Sequence, residues 1–326
     1  MMVNWNSKVL KSVSEITSDA NHLKINDKNI EEVSDWLAYE EFSFPKNNDR
    51  KKDPDNFIRT TMLINTLNFA FTDFDNSIKY EITRNGSLLS DSEAMFTQVH
   101  EAIESGVNLL DGNVQASLTF EDLENIFKGN IEMPMLQERK DILNQVGQKL
   151  VDSYNGDWVN FINNCPKKLY SNGEGLIERL VSEFPRFDDS SNYKGKDVHF
   201  YKLAQLAFWG IHGELSHSGY FKVEDINSMS AFADYIVPVA LKVMKIVEYS
   251  DDLNEKINNG VLIERNSEEE IEIRAASLFA TAKLTEAVNL RRPADKAIII
   301  PQLDYRLWKS YHATHHPHHL TYTVMY

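Results

Sequence analysis

The stretch FIRTTMLINTLNFAF (57–71) sets the strongest limit on the fold. Its apolar side chains fall on nearly every side of a 3.6-residue repeat, so as a helix it has no wet face. Such a helix needs neighbours all round, and a chain of 326 residues can supply them. The other long segments also carry helical signals. Asn29 followed by Glu32 reads as an N-cap for NIEEVSDWLAYE, and Thr119 with Asp122 starts TFEDLENIFKG. Ser267 with Glu270 reads as a capping box for EEEIEIRAASLFATAKLTEAV. Gly106 is a natural C-cap for DSEAMFTQVHEAIESG, and EGLIERLVSEF stops ahead of Pro185. VLKSVSEI, MPMLQERKDILNQVGQKLVDSYNG, GDWVNFINNC and VHFYKLAQLAFWGIHGEL read as further helices, and PKNNDRKKDPDN as a polar loop. SIKYEITRNGSLL alternates around Asn85-Gly86, the strongest short hairpin signal, and the end LTYTVMY suits a short strand. The expectation is a mainly α fold with a small β-hairpin, in one domain over 1–326.

Composition narrows the setting. Hydrophobic residues make up 42% and charged residues 25%, as in ordinary globular chains. Cys165 is the single cysteine, so no disulfide framework exists within the chain and a reducing, cytoplasmic setting is expected. The opening MMVNWNSKVLKSVSEI lacks a secretory pattern, and no stretch approaches the ~20 apolar residues of a membrane span. The net charge is −15. Nucleic-acid affinity rests largely on neutralising phosphates, so intact nucleic acid is a poor partner for this scattered set of cations. A small anionic ligand remains open, given a few well-placed cations.

Several residues stand out as candidates. In FADYIVPVAL, Asp234 lies between aromatics just ahead of a helix in which Pro238 suits the first turn. It reads either as a capping acid or as a carboxylate held dry for chemistry. Asp225, nine residues upstream, caps a turn or assists. Arg274 shares a helix face with Ile271 and Leu278, so it needs a carboxylate or phosphate partner, and both remain open. Lys202 sits among His199, Phe200, Tyr201, Leu203, Phe208 and Trp209; it either snorkels outward or reaches a phosphate. The tract YHATHHPHHL gathers His312, His315, His316, His318 and His319, but Pro317 interrupts it and no cysteine joins, so no metal site is expected. Walker, G-x-G-x-x-G and G-x-S-x-G patterns are absent, which removes the common nucleotide-hydrolysing, dinucleotide and α/β-hydrolase readings.

Taken in order, NTLNFAF (65–71), MPMLQERKDILNQVGQKL (133–150), FPRFDDSSNYKGKDVHFYKLAQ (184–205), EDINSMSAFADYIVPVAL (224–241), EYSDDL (248–253), EEEIEIRAASLF (268–279) and LDYRLW (303–308) resemble the queuosine salvage proteins, as does the PHH…Y ending (317–326). That family comprises queuosine 5′-phosphate N-glycosylases/hydrolases. The resemblance implies a helical fold like that of helix-hairpin-helix DNA glycosylases, and release of queuine from queuosine 5′-monophosphate for tRNA-modification salvage. It implies no metal or organic cofactor, a small-molecule substrate, and no membrane partner. The chain departs from the family pattern at Ile236, Gly210, Thr72, Leu320 and Tyr322, which bears on phosphate binding and substrate choice.

On that resemblance the residues take roles. Asp234 stabilises positive charge on the sugar or activates water, with Asp225 sharing the work or holding the base. Asn68 offers a donor and an acceptor to the base edge. Phe69, Phe71, Trp209, Phe232 and Tyr235 are stacking walls. Lys202 and Arg274 are phosphate candidates, His319 adds a donor, and His199 and Tyr201 line the substrate. A hydrolase for another modified nucleoside or nucleotide, and a non-catalytic binder of queuine or its nucleotide, are the competing readings. A glycosylase acting on a nucleic-acid polymer is disfavoured by charge.

Overall fold

The computed structural model of the chain describes residues 3–42, 53–75, 78–312 and 316–326. The chain opens with α1 (Lys8–Thr17), β1 (Leu23–Ile25), α2 (Asp27–Leu37) and α3 (Pro54–Leu67). The hairpin β2 (Glu81–Arg84) and β3 (Ser87–Ser90) follows, then α4 (Asp91–Glu104), α5 (Gly112–Ser117) and α6 (Phe120–Ile126). Next come α7 (Leu136–Tyr154), α8 (Trp158–Asn163) and α9 (Leu176–Glu183). A second hairpin, β4 (Ser190–Tyr193) and β5 (Lys196–His199), leads into α10 (Lys202–Leu215). The remainder is α11 (Ile236–Val243), β6 (Val247–Tyr249), α12 (Asp251–Asn258), α13 (Glu268–Leu290) and α14 (Ile300–Tyr311). The fold is mainly helical. Among the described residues no helix is long and apolar enough to cross a membrane.

Two compact units are assembled from interleaved segments. The first takes Met1–Lys46, Asp189–Gln205 and Glu224–Tyr322; the second takes Asn47–Asp188, Leu206–Val223 and Thr323–Tyr326. In the first unit α13 is the central element, with α1, α2, α11 and α14 against it. Burial on nearly every turn, from Ile271 through Arg274 and Leu278 to Val288, follows from that position. Ser267 caps α13 by accepting from the Glu270 N–H, and Glu268–Glu270 place negative charge at the positive end of the helix dipole. The expected capping box is half made: the Glu270 side chain turns to the Asn266 N–H instead. The core here joins Leu37, Leu241, Ile273, Ala280, Leu284 and Leu303.

In the second unit α3 is buried on nearly all sides, as its composition demands. Asp53 caps it, and Pro54 occupies its first position. Leu63, Leu67, Phe71, Met95, Leu123 and Leu143 share one core. The Asn85-Gly86 hairpin forms over 81–90, both turn residues lying at positive φ (51° and 78°).

Some expectations shift. α2 begins a turn earlier than Asn29: Asn26 is its cap and accepts from the Asn29 N–H. The loop read over 45–56 falls largely outside the described residues. LTYTVMY forms no strand, only a bridge from Leu320 to Leu262. The β1–β6 and β4–β5 pairs lie in segments read as helix or loop.

Helices α5 and α7 approach closely at Gly147. A Cβ built there would lie 2.4 Å from the Ala116 nitrogen and 2.7 Å from the Gly112 oxygen, both backbone atoms. In an open helix Gly→Ala would stabilise by about 1 kcal/mol; here the clash reverses the sign. Gly147→Ala is expected to cost about 1–3 kcal/mol, read as a lower urea midpoint with an unchanged slope. An unchanged or higher midpoint would show that this contact can open at little cost.

Candidate active site

The FADY segment is pinned residue by residue within the first unit. The Phe232 N–H donates to Asp304 Oδ1 at 2.9 Å. The Ala233 carbonyl accepts from Arg274 Nε at 3.2 Å. Asp234 Oδ1 accepts from the N–H groups of Ile236 and Val237, both at 2.9 Å. Those two donors are orphans of the first turn of α11, so Asp234 satisfies them as a cap does. Upstream, the Ser230 N–H donates to Gln205 Oε1 at 2.8 Å, and Gln205 Nε2 returns a bond to Ser230 Oγ.

Arg274 holds the next layer. Its guanidinium grips Asp189 by two bonds, Nη1–Oδ1 at 2.9 Å and Nη2–Oδ2 at 2.5 Å. Glu270, one turn back on α13, lies 3.4 Å from Nη1. The guanidinium carbon stands 4.0 Å over the Phe200 ring. Asp189 in turn accepts from the Lys202 N–H, and its carbonyl accepts from the N–H groups of Phe200 and Tyr201. Of the two partners open for Arg274, the structure supplies the carboxylate. Lys202 does not snorkel; it is buried at the first turn of α10.

Two acids share this interior. Asp234 and Asp304 are 7% and 3% exposed. Burial raises Asp234 above the ordinary carboxylate value, opposed by the Lys202 charge, the two α11 N–H groups and Arg274. Asp304 is pushed well above it, first by burial and then by the Asp234 charge; only the Phe232 N–H and Lys202 pull it down. Asp234 has more donors favouring its charged form than Asp304 has. His319 is also buried, and burial, then the His318 and Arg274 charges, lower it to about 3. It is therefore neutral. The Tyr235 ring stacks on His318 with centroids 4.4 Å apart.

The candidates fall into two groups. Asp234, Asp225, His199, Tyr201, Lys202, Phe232, Tyr235, Arg274 and His319 belong to the first unit; Asn68, Phe69, Phe71 and Trp209 belong to the second. Asp225 is half-buried and precedes a short 3-10 turn, where its backbone carbonyl accepts from the Ser228 N–H. Asn68 ends α3. Phe69 is fully buried, with the guanidinium carbons of Arg139 and Arg186 at 4.1 and 4.7 Å from its ring centre. Arg139 also lies 5.2 Å over Phe71. Its donors go to the carbonyls of Pro134, Leu67, Phe69 and Ala70. Trp209 is buried in α10. His315 lies outside the described residues.

Asp304, Asp189 and the two second-unit arginines escaped the sequence reading. For Asp304 a signal exists: it sits one residue from Leu303 and three from Leu307, on the buried stripe of α14.

These features define a mainly helical protein in which a buried carboxylate, Asp234, precedes a helix, with a second buried carboxylate, Asp304, on α14 and the charge of Lys202 acting on both. Residues 47–326 match the model of the queuosine salvage protein family. The chain belongs to that family. It is 30% identical over 268 residues to the queuosine 5′-phosphate N-glycosylase/hydrolase of Sphaerobacter thermophilus, covering 81% of this chain and 80% of the relative. It is 28% identical over 324 residues to the protein of that name from Schizosaccharomyces pombe, covering 93% and 90%. The mouse protein of the same name is 28% identical over 252 residues, covering 76% of this chain and 73% of its own length.

Two outcomes follow from this geometry. Arg274→Met strands Asp189 in the interior and is expected to cost about 3–5 kcal/mol, whereas adding Asp189→Leu recovers much of that loss. Equal midpoints for the single and double variants in urea would refute the coupling. His319 has its ordinary value of 6.5 when unfolded and about 3 when folded. Its contribution is complete above pH ~6.5 and lost as pH falls through that window, by about 1–2 kcal/mol between pH 6.5 and 5. His319→Gln should flatten that part of the stability–pH curve relative to the unsubstituted protein; parallel curves would remove the assignment.

Proposed function

We propose that this chain hydrolyses the N-glycosidic bond of queuosine 5′-monophosphate, releasing queuine for re-use in tRNA modification. The observation that carries the reading is the buried Asp234–Asp304 pair beside Lys202, in a chain of the queuosine salvage family. The activity for which its relatives are named supports it.

The chemistry follows from the division of labour between the acids. As the base leaves, positive charge builds on the ribose at C1′. Ionised Asp234 stabilises that charge and accepts a proton from the attacking water. Helix α11 uses Oδ1, so Oδ2 is the oxygen its N–H groups leave to this task. Protonated Asp304 gives its proton to the departing base. The C1′–N bond breaks, a C1′–O bond forms, and the proton has moved from one acid to the other; exchange with solvent resets the pair. Queuine is a 7-deazapurine without the N7 that many purine hydrolases protonate, so assistance falls on another edge of the ring. Lys202 limits the cost of having one buried negative charge. Asp225 has a supporting role, Phe232 and Tyr235 offer aromatic surface near Asp234, and Asn68, Phe69, Phe71 and Trp209 are the second unit's candidates for the base.

The chain reads as one catalytic domain over 1–326, with a helical arrangement akin to helix-hairpin-helix DNA glycosylases, where an acid likewise precedes a helix. The net charge of −15 supports a mononucleotide over a polymer. The reading needs no cofactor, no intact nucleic acid and no membrane, and places the protein in the cytoplasm.

Incubation with queuosine, its 5′-phosphate and queuosine-containing tRNA, with mass detection of free base, tests the activity. Release from the 5′-phosphate is expected; none would end the proposal. Asp234→Asn and Asp304→Asn should each lower kcat by about 10²–10⁴-fold while ligand still binds. A binder would lose little by either change. Asp234 works ionised, so kcat/KM falls on the acid side of its raised value. Asp304 works protonated, so the rate falls on the alkaline side of its higher one. Asp304→Asn should abolish the alkaline limb; a limb that persists would reassign the proton donor.

A further inference from the structure

We infer that Gln205 is a positioning residue for the proposed hydrolysis: its side-chain amide sets where the segment bearing Asp234 lies against the start of α10, without touching the substrate. The role rests on the activity proposed above. The need for such a residue is physical. Asp234, Asp304 and Lys202 act on one another through their charges. A further charged group placed among them would disturb that balance. A neutral amide can fix the geometry there and add no charge.

Gln205 has the contacts for that task. It and Ser230 are both 0% exposed. Its Oε1 accepts the Ser230 N–H at 2.8 Å, and its Nε2 donates to Ser230 Oγ at 2.9 Å. The same Nε2 donates to the Phe200 carbonyl, also at 2.9 Å. Ser230 Oγ in turn donates to the Ala231 carbonyl at 2.8 Å. Both N–H groups and the oxygen of the Gln205 amide are therefore engaged. Only one orientation of the planar amide does this. Flipped, it would set its nitrogen against the Ser230 N–H and its oxygen against the Phe200 carbonyl.

Each end of this strut lies a short step along the chain from a charged group. Gln205 follows Lys202 by three residues, and Ser230 precedes Asp234 by four. Between Ser230 and Asp234 stands Phe232, whose N–H bonds Asp304. The Gln205 backbone N–H bonds the Tyr201 carbonyl at 2.9 Å. Gln205 thus holds the carbonyls of both residues ahead of Lys202. Tyr201 has φ +49° there, a left-handed conformation that a non-glycine residue keeps where its surroundings over-determine it. The Asp189–Arg274 pair holds the N–H groups of the same turn and the Ala233 carbonyl. Gln205 holds the carbonyls of that turn and Ser230. A segment tied at one point can pivot; tied at both Ser230 and Ala233, it presents Asp234 in one place.

The test is Gln205→Met in the full chain, which keeps the length of the side chain and removes both polar atoms. With queuosine 5′-monophosphate and mass detection of queuine, kcat should fall by about ten- to a hundredfold while KM stays within about threefold. Ser230→Ala removes the hydroxyl and keeps the N–H bond to Oε1, so kcat should fall by about three- to tenfold on the same pattern. Amide hydrogen exchange read by NMR separates positioning from loss of fold. The N–H groups of Phe232, Ile236 and Val237 bond Asp304 and Asp234. They should exchange about tenfold or more faster in Gln205→Met, and residues 278–282 of α13 should not. A kcat within about twofold of the unsubstituted protein, a rise in KM with kcat unchanged, or unchanged exchange at the three amides overturns the role. Should α13 exchange faster by the same factor, the fold has loosened, and Ser230→Ala decides by the same criteria. If the unsubstituted protein releases no queuine, the proposed activity fails separately. The three amides then decide alone: faster local exchange upholds the positioning role, and equal exchange overturns it.

Discussion

The first unit depends on the buried pair of Asp189 and Arg274. An ion pair taken out of water is seldom a net source of stability, because desolvation offsets most of the attraction. Two apolar side chains could fill the same volume. They could not receive the N–H of Lys202 on one side while donating to the carbonyl of Ala233 on the other. The pair thus fixes the start of α10 against the turn ahead of α11. These are the positions of Lys202 and Asp234. Geometry, more than energy, is what this interaction supplies.

With those positions set, the asymmetry of the two acids follows from donor count. Asp234 has two backbone N–H groups, and the charges of Lys202 and Arg274 act on it. Asp304 has one N–H, and the Lys202 charge acts on it as well. Equal burial would leave two identical carboxyls competing for one proton. Unequal donor supply favours the charged form of Asp234 over that of Asp304, the asymmetry on which the proposed chemistry draws. The overall negative charge of the chain has little part in this, since exposed carboxylates beyond a Debye length are screened.

How much of this was legible in the sequence varies residue by residue. Asp234 could be found because a proline-opened apolar helix follows it, and Arg274 because it interrupts an apolar stripe. α3 was unmistakable for its lack of a polar face. Asp304 was passed over because LDYRLW looks like an ordinary amphipathic surface, and only the spacing from Ile300 and Leu303 puts it inside. Asp189 hides in DDSSNYKGK, a polar run that reads as a loop. The β4–β5 hairpin there turns at Lys194-Gly195, both at positive φ, without the Asn-Gly signal of the other hairpin. Its strands are also too polar to alternate visibly. Asn26 and Asn29 compete for one cap, and local sequence alone does not choose between them.

Buried cations link several of the short stretches that resemble the family. Arg139 lies in MPMLQERKDI, Arg186 in FPRFDD, Lys202 in HFYKLAQ and Arg274 in EEEIEIRAAS, and all four are buried. A buried cation needs acceptors or ring faces at fixed places, so it constrains residues far along the chain. Arg139 draws on three carbonyls of the NTLNFA stretch, and its guanidinium and that of Arg186 stand over Phe69. Arg274 draws on Asp189, Ala233 and Phe200. Arg139, Arg186 and Arg274 therefore each tie one stretch of the chain to another. The chemistry proposed for Asp234 and Asp304 depends on the pairing that Arg274 makes, since it holds Asp189 and the Ala233 carbonyl in one place.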